Sequence, residues 1–356
     1  MGFGVACPRD WQKKEGSALR VSVIIVNYNG KAYLPRCLDC LSRQTMTDFE
    51  AIVVDNGSQD NSIEMLILPD HRFRLLPLGK NLGFAAANNA GAAVARGSWL
   101  ATLNPDAFPE PDWLEALLDA ARRHPGITLF GSTQVLDGDP RLLDGSGDAY
   151  SFLGLAWRGN YLHPLCDLPP EGEVFSPCAA AAMYRAEVFR ELGGFDESLF
   201  CYCEDVDLGF RFRLRGHRCL QVPGAVVRHV SGGISGRQSP LAFYLGHRNS
   251  LWVHIKNMPW PLLLPTLPLH LAFELLLMAK FQVQALRAEP EERLRLRLQL
   301  FAHNLALRHG LLRSRGAWHR RRGLQEGRTL TVLGLARCLC WSLSRLLRRE
   351  HDVRCI

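Results

Sequence analysis

Three acidic side chains, Glu204, Asp205 and Asp207, lie within four residues of one another in the stretch GGFDESLFCYCEDVDLGFRFRLRG at positions 193–216. An aromatic, turn-rich run gives way there to a helical pattern, so Glu204 and Asp205 fall in or just before a first helical turn. The helix macrodipole favours ionised carboxylates at that point. Asp207 and Arg211 are four residues apart and predict an ion pair on one helix face. The cluster therefore fits either a helix cap with an ion pair or a carboxylate that moves protons.

Further polar groups follow apolar runs of strand length upstream. They occupy positions 27–29 (NYN), 55–58 (DNGS) and 104–106 (NPD). In a parallel sheet, ligands collect at the carboxyl ends of the strands, so these positions predict a site. Asp55 is suited to accept the imide N–H of a uracil or thymine ring, although an Asx-turn is the simpler interpretation.

Two of the remaining polar residues are candidate metal ligands. Asp106 could bind a hard divalent cation that also takes phosphate oxygens, or it could only form a turn. His229, followed by Ser-Gly-Gly, could be a further ligand, although most single histidines are not. The stretch 81–85 (NLGFA) opens a helix and offers backbone N–H groups to an anion. It matches neither a dinucleotide-binding nor a P-loop pattern.

The elements that would position these residues alternate between strand and helix. Strands are predicted at 21–27, 49–54, 73–76, 99–103 and 127–135, with short strands at 219–222 and 225–228; helices are predicted at 33–44, 61–68, 85–96, 111–124 and 185–192. Residues 136–170 have no clear period and predict a loop region over the site. This alternation indicates an α/β fold with a mostly parallel central sheet flanked by helices.

Charge and hydropathy set the C-terminal part of the chain apart. The net charge is +7, but residues 286–356 hold sixteen Arg and no Lys against six Asp and Glu, which makes that segment +10 and the rest −3. Such a basic segment suits an anionic partner, either lipid headgroups or nucleic acid. The apolar run 260–278 contains three prolines, His270 and Glu274, which argues against a simple membrane-spanning helix.

The N-terminal residues and the cysteines suggest a compartment. The first sixteen residues contain no apolar stretch of the kind found in secretory signals. The eleven Cys show no zinc-site spacing, and reduced thiols in a cytosolic protein are expected.

Six motifs in order resemble the inverting family 2 glycosyltransferases of GT-A fold, specifically the rhamnosyltransferase-like branch. They are VSVIIVNYNG, VVDNGSQDNS, NLGFAAANNAG, LNPDA, GGFDESLFCYCEDVDLGFRFRLRG and HVSGGISG, and the likeness covers roughly residues 21–260. It implies a Rossmann-like GT-A catalytic domain at 21–240, after a flexible lead at 1–20 and before a basic, amphipathic helical region at 241–356.

The resemblance also implies roles for individual residues. Asp205 would be the general base, with Glu204 in support, and Asp207 would remain structural. Asp106 and His229 would hold Mg²⁺ or Mn²⁺, with Asn104 at a position where many relatives have Asp. The nucleotide-sugar would contact Asn27, Tyr28, Asn29, Asp55, Asn81, Gly83, Asn104 and Asp106, and Arg248 is a candidate for an acceptor phosphate.

The implied reaction is transfer of a sugar to a hydroxyl of a lipid-linked or polysaccharide acceptor in cell-surface glycan synthesis. Rhamnose from dTDP-rhamnose is the favoured donor; a UDP-hexose, a UDP-N-acetylhexosamine and UDP-galactofuranose remain open. The C-terminal region would attach the enzyme peripherally to the cytoplasmic face of the inner membrane. A distant alternative, a nucleic-acid-binding protein acting through its arginine-rich tail, lacks the interleaved aromatics that stack on bases, so no nucleic acid is expected as a partner.

Overall fold

The computed structural model describes residues 20–233, 239–317, 319–320 and the single positions 332, 335 and 339. The predicted flexible lead at 1–20 lies almost wholly outside the described residues, as does much of the arginine-rich segment beyond 320.

The described chain contains twelve strands and eight α-helices. The strands are β1 (Val21–Asn27), β2 (Phe49–Asp55), β3 (Phe73–Pro77), β4 (Trp99–Leu103), β5 (Ala107–Pro109), β6 (Leu129–Leu136), β7 (Asp139–Gly145), β8 (Asp148–Tyr150), β9 (Ala156–Arg158), β10 (Gly172–Val174), β11 (Ala181–Arg185) and β12 (Cys219–His229). The helices are α1 (Leu34–Ser42), α2 (Phe84–Val94), α3 (Trp113–Arg123), α4 (Ala186–Glu191), α5 (Glu204–Leu214), α6 (Pro240–Asn257), α7 (Trp260–Arg287) and α8 (Pro290–Leu312).

Ten of these strands form one central sheet. Its order is β10-β12-β6-β11-β4-β1-β2-β3, with β5 beside β12 and β7 beside β6. Strands β1 to β4 run parallel to one another, as do β6 and β12, whereas β11 is antiparallel to both of its neighbours. The predicted α/β fold with a mostly parallel sheet is confirmed.

Helices cover both faces of the sheet because its central strands are apolar on both sides. Alternate residues of β1 point to opposite faces: Val23 packs in the core with α1 and α3, whereas Ile24 packs in the core with α2, α4 and α5. Continuous runs such as VSVIIVN are typical of strands buried on both faces. The sheet therefore holds its strand ends rigidly at one edge.

The structure differs from the predicted elements in two stretches between the sheet strands. The predicted helix at 61–68 is a series of turns, since the Asp60 carboxylate accepts the Ser62 N–H and Asn61 takes a left-handed conformation with φ of 61°. The region 136–170, predicted as irregular, contains β7, which pairs with β6, and the β8–β9 hairpin. β8 and β9 are only three residues long and β7 pairs in an irregular register, so no clear period is visible in the sequence.

The two short strands predicted at 219–222 and 225–228 are one strand, β12. It pairs with β6 along its whole length, and its register shifts between Val222 and Val226. Pro223 lies within this shift, which explains the apparent break, because proline is confined to bulges or edges in a sheet.

The C-terminal helices share a hydrophobic cluster with α5. Leu251 and Val253 of α6 share a cluster with Val206 and Phe210 of α5. A domain boundary near 240 remains a prediction. Helix α7 runs through two internal prolines and, among the described residues, is the one helix long and apolar enough to cross a membrane, by length and composition only.

Candidate active site

A cleft of about 400 Å³ opens at the carboxyl ends of β1, β2 and β4, between the central sheet and the start of α5. Most of the predicted site residues line it. These are Tyr28, Asn81, Gly83, Asn104, Asp106, Glu204, Asp205 and His229. The sheet brings them together because parallel strands end at the same edge, as the pairing of Asn27 with Asp55 shows.

One side of the cleft is built by two asparagines that bridge neighbouring loops. Asn56 Nδ2 donates to Asn81 Oδ1 at 3.0 Å, and the Leu82 N–H donates to Asn56 Oδ1 at 2.8 Å. Gly83 follows with φ of 89°, where a Cβ atom would collide with Phe200. Glycine is therefore required at position 83, because a side chain there would collide with Phe200. Asn56 was not singled out from the sequence, although it lies in the quoted DNGS turn.

Three of the predicted nucleotide-binding residues lie behind or beside the cleft. Asn27 is buried and donates to the Ser58 and Ser62 hydroxyls, at 3.0 and 2.9 Å. Asn29 accepts the Gln59 N–H at 2.8 Å. Asp55 is buried and accepts the Ser58 N–H, three residues further on, at 3.1 Å, a local turn contact one residue longer than the Asx-turn weighed above. These contacts tie the β1 and β2 loops together, and nucleotide contact by these residues remains a prediction.

The candidate metal ligands meet at the opposite side of the cleft. β5 pairs with β12 so that His229 stands opposite Ala107, the neighbour of Asp106. His229 Nε2 lies 3.4 Å from Asp106 Oδ1, and His229 Nδ1 lies 2.7 Å from Asp144 Oδ2. Asp106 Oδ2 accepts the Gly233 N–H at 3.2 Å. The imidazole is thus held between two carboxylates.

The pKa values of His229 and Asp106 reflect this arrangement. Burial by itself would lower the pKa of His229, but the hydrogen bonds and negative charges of Asp106 and Asp144 outweigh it and raise the pKa to about 9. Burial acts to raise the pKa of Asp106, yet His229 holds it below its ordinary value. A cation entering here would replace the imidazolium proton, since metal-bound histidine must be neutral.

The carboxylates Glu204 and Asp205 occupy the first turn of α5, as predicted. Asp205 Oδ2 accepts the Ala179 N–H at 3.0 Å and Oδ1 accepts the Val206 N–H at 2.8 Å. Burial nevertheless raises the pKa of Asp205. Burial and the neighbouring charge of Asp205 raise the pKa of Glu204 well above its usual range. A desolvated, firmly held carboxylate of this kind suits proton transfer.

The third acidic residue of the motif points away from the cleft into a buried ionic cluster. Asp207 Oδ2 accepts from Arg211 Nε at 2.8 Å, the predicted helical pair. Its Oδ1 accepts from Lys256 Nζ at 2.6 Å and from Asn257 Nδ2 at 2.8 Å, both on α6. Glu204 and Asp205 thus face the cleft, whereas Asp207 joins α5 to α6.

The loop leading into α5 is also held by α6. Phe200, Tyr202 and Cys203 all have positive φ, between 63° and 70°. Asn249 Nδ2 lies within 2.7–2.9 Å of the carbonyls of Leu199, Cys201 and Tyr202 and is fully buried. Such left-handed runs persist only where surrounding contacts impose them.

Arg248, the candidate acceptor residue, contributes to the same attachment. Its Nη2 donates to the Leu199 carbonyl at 2.9 Å, and its guanidinium stacks over Trp252 at 4.5 Å. It is absent from the described lining of the cleft, and an acceptor role remains a prediction.

Three charged residues of the site come from the 136–170 region and were missed from the sequence. Arg158 Nη1 donates to Asp144 Oδ2 at 2.8 Å, and Arg158 and Asp148 both line the cleft. Burial raises the pKa of Asp148 well above its usual range, and the negative charge of Asp205 adds to this effect. The sequence offered one signal for these residues: the stretch 136–170, which was expected to cover the site, contains several Asp.

The central sheet with its flanking helices has the fold of the GT-A glycosyltransferases. GalNAc-T7, solved with UDP, GalNAc and Mn²⁺, superimposes with a TM-score of 0.54 at 20% identity, covering 66% of this chain and 47% of that one. S. aureus TarS in complex with UDP-GlcNAc gives a TM-score of 0.50 at 18% identity, covering 86% and 90%. At these identities the likeness concerns the fold alone.

Sequence comparison identifies the family. The model of glycosyl transferase family 2 matches residues 22–193. The N-acetylglucosaminyl-diphospho-decaprenol L-rhamnosyltransferase of Mycobacterium tuberculosis is 31% identical over 259 residues, which is 66% of this chain and 83% of that protein. The chain belongs to glycosyl transferase family 2, and the predicted family is confirmed.

Proposed function

We propose that the protein is an inverting, metal-dependent glycosyltransferase that moves rhamnose from dTDP-rhamnose to a hydroxyl of a lipid-linked acceptor. The observation that carries this proposal is the shared cleft, which Asp205 lines together with Asp106 and His229. A general base and a pair of candidate metal ligands thus border one space of about 400 Å³. The base serves the acceptor hydroxyl, and the cation would neutralise the departing diphosphate.

Asp205 acts as the general base. Its two backbone hydrogen bonds fix the carboxylate, and its burial makes it a stronger base than an exposed aspartate. It takes the proton of the acceptor hydroxyl as that oxygen attacks the anomeric carbon, and the nucleoside diphosphate leaves from the opposite face. Glu204 Oε2 is buried beside it without a hydrogen bond among the described residues, so it is placed to receive one from the acceptor.

The residues around Asp106 fit a divalent cation. His229 Nδ1 is held by Asp144 Oδ2 at 2.7 Å, whereas His229 Nε2 faces Asp106 Oδ1 at 3.4 Å. A carboxylate that orients a histidine in this way is typical of metal sites. Mg²⁺ or Mn²⁺ held by Asp106 and His229 would supply positive charge to the departing diphosphate. Asn104 would add a neutral oxygen where a second carboxylate would add charge.

The donor is proposed from the rhamnosyltransferase relative. The name of that enzyme specifies an L-rhamnosyl transfer to N-acetylglucosaminyl-diphospho-decaprenol, and its identity to this chain is 31%. A UDP-hexose, a UDP-N-acetylhexosamine and UDP-galactofuranose are the competing donors. Asp148 and Arg158 offer charged groups to the sugar hydroxyls at the cleft wall.

A lipid-linked acceptor suits the exposed surface of the C-terminal helices, which we place against the cytoplasmic face of the membrane. Large apolar side chains of α7 and α8 lie exposed: Trp260, Leu264, Leu269, Leu275, Leu276, Leu286, Leu294, Leu298 and Phe301. Arginines of α8 such as Arg293 and Arg295 would meet anionic headgroups.

The test is a donor panel with the purified full-length protein and a polyprenyl-diphosphate-linked N-acetylglucosamine acceptor. Transfer from dTDP-rhamnose, with inverted anomeric configuration in the product by NMR, is expected. Asp205→Asn should lower kcat by about 10²–10⁴-fold, the usual contribution of a general base. Asp39→Asn, an exposed change on α1, is the matched control. A variant Asp205→Asn with full transfer activity would refute the base assignment, and transfer only from a UDP-sugar would replace the donor.

Metal dependence is tested separately. Chelation should abolish transfer, Mg²⁺ or Mn²⁺ should restore it, and Asp106→Ala should shift the required metal concentration upward. Full activity of the chelated enzyme would rule out the metal.

A further inference from the structure

A second cluster of possible metal ligands lies in the C-terminal helices. His247 comes from α6, Glu274 from α7 and His303 from α8, and their donor atoms all lie within 4.8 Å of one another. Glu274 Oε2 is 2.9 Å from His247 Nδ1 and 2.5 Å from His303 Nε2. The three helices thus converge on one carboxylate.

A fourth side chain lies beside this group of three. His270 Nε2, on α7 one turn before Glu274, lies 3.8 Å from Glu274 Oε1. His270 Nδ1 lies 2.6 Å from the Leu153 carbonyl and so carries the proton, because a carbonyl only accepts. The Nε2 atom is left with its lone pair, is buried, and has no hydrogen bond within the described part of the chain. A histidine whose second nitrogen donates to a carbonyl is in the tautomer that binds metals.

A small cavity borders two of the four side chains. His247 and Glu274 border a cavity of about 40 Å³ that is also lined by Cys203, directly before the catalytic acids. Glu274, His270 and His303 are almost completely buried. Burying a carboxylate with three imidazoles across three helices is costly unless positive charge balances it.

We propose that His247, His270, Glu274 and His303 bind a Zn²⁺ ion that is separate from the catalytic metal. Three imidazole nitrogens and one carboxylate oxygen are a donor set that Zn²⁺ accepts in tetrahedral geometry. The ion fastens α7 and α8 to α6. Since α6 holds the loop before α5 through Asn249, the zinc fixes the apolar surface of α7 and α8 relative to the cleft.

The experiment uses the tag-free full-length protein, stripped of metal and titrated with Co²⁺ as a spectroscopic probe and with Zn²⁺. Asp106→Ala serves as the background so that the catalytic corner does not contribute. One equivalent of Co²⁺ should bind with the intense visible absorption of a four-coordinate site, and Zn²⁺ should displace it and raise Tm. Adding His303→Gln should abolish that equivalent. Adding His309→Gln, on the same helix but bonded to Tyr244, should leave it intact.

Two outcomes would overturn the zinc site. One is the absence of the Co²⁺ absorption in the Asp106→Ala background, which would leave a histidine–glutamate hydrogen-bond cluster without an ion. The other is binding that persists with His303→Gln. If His303→Gln fails to fold, His247→Gln serves instead, because His247 borders the cavity and tolerates a polar replacement, and persistence of the Co²⁺ absorption in it refutes the site equally.

Discussion

Asp205 and Asp207 are two positions apart, and the structure predicts opposite consequences for the same substitution at each. Asp207 is fully buried, and its carboxylate contacts Arg211, Lys256 and Asn257. Replacing it with Asn leaves two buried cations with less negative charge around them. Removing one partner of a buried ion pair costs about 3–5 kcal/mol.

The contacts that remain place Asp207→Asn at the low end of that range. Lys256 keeps Asp196 at 2.7 Å, and Arg211 keeps the carbonyls of Leu192 and Gly194 at 2.7 and 2.6 Å. We therefore expect a loss of about 3 kcal/mol in the free energy of unfolding. Because the urea m-value grows with chain size and exceeds the roughly 1–3 kcal/mol/M of small proteins, the unfolding midpoint should fall by about 1 M or less.

The chain offers a matched control in Asp39 and Arg43, another i,i+4 pair on a helix. Their side chains are 59% and 63% exposed, against 0% and 5% for Asp207 and Arg211. Asp39→Asn should cost only about 0.3–0.5 kcal/mol.

The assay is urea unfolding followed by tryptophan fluorescence, with transfer activity measured below the unfolding transition. Asp207→Asn should lose stability, whereas Asp205→Asn should lose activity and change stability by less than about 1 kcal/mol, since burial already disfavours its charge. Equal stability of Asp207→Asn and Asp39→Asn would refute the division of roles between the two acids.

Three further outcomes follow from the same contacts. Gly209→Ala should lower stability by about 1–3 kcal/mol despite alanine's helix propensity, because its Cβ would collide with Ser176; thermal unfolding measures this. Asn249→Ala should cost about 1–3 kcal/mol and lower kcat, since three carbonyls of the loop before α5 lose their donor; an Asn249→Ala enzyme with unchanged Tm and kcat would contradict it. Burial acts to raise the pKa of Asp207, but Lys256 and Arg211 hold it below its ordinary value, so its stabilising effect is present above pH about 4 and lost on acidification. The stability gap between wild type and Asp207→Asn should therefore narrow in urea titrations below that pH.

Much of the candidate site could be predicted because local rules placed it. Apolar runs such as VSVIIVN must be buried strands, and their polar ends must meet at one edge of a parallel sheet. The helical period set Asp207 and Arg211 on one face, and that pair is present. The region 136–170 could not be predicted in the same way, because β7 pairs with β6 in an irregular register and β8 and β9 are three-residue strands that pair with each other.

The sequence by itself determined the sheet, the strand-end position of Asp106 and the helix-start position of Asp205, since these depend on residue types within a few positions. Only the tertiary structure decided which partners these side chains have. The β5–β12 pairing brings His229 to Asp106, β7 supplies Asp144, and the fold of the C-terminal helices joins His247, Glu274 and His303. The longest of these contacts joins positions 106 and 229, and no local pattern encodes such separations because they depend on the packing of the whole fold.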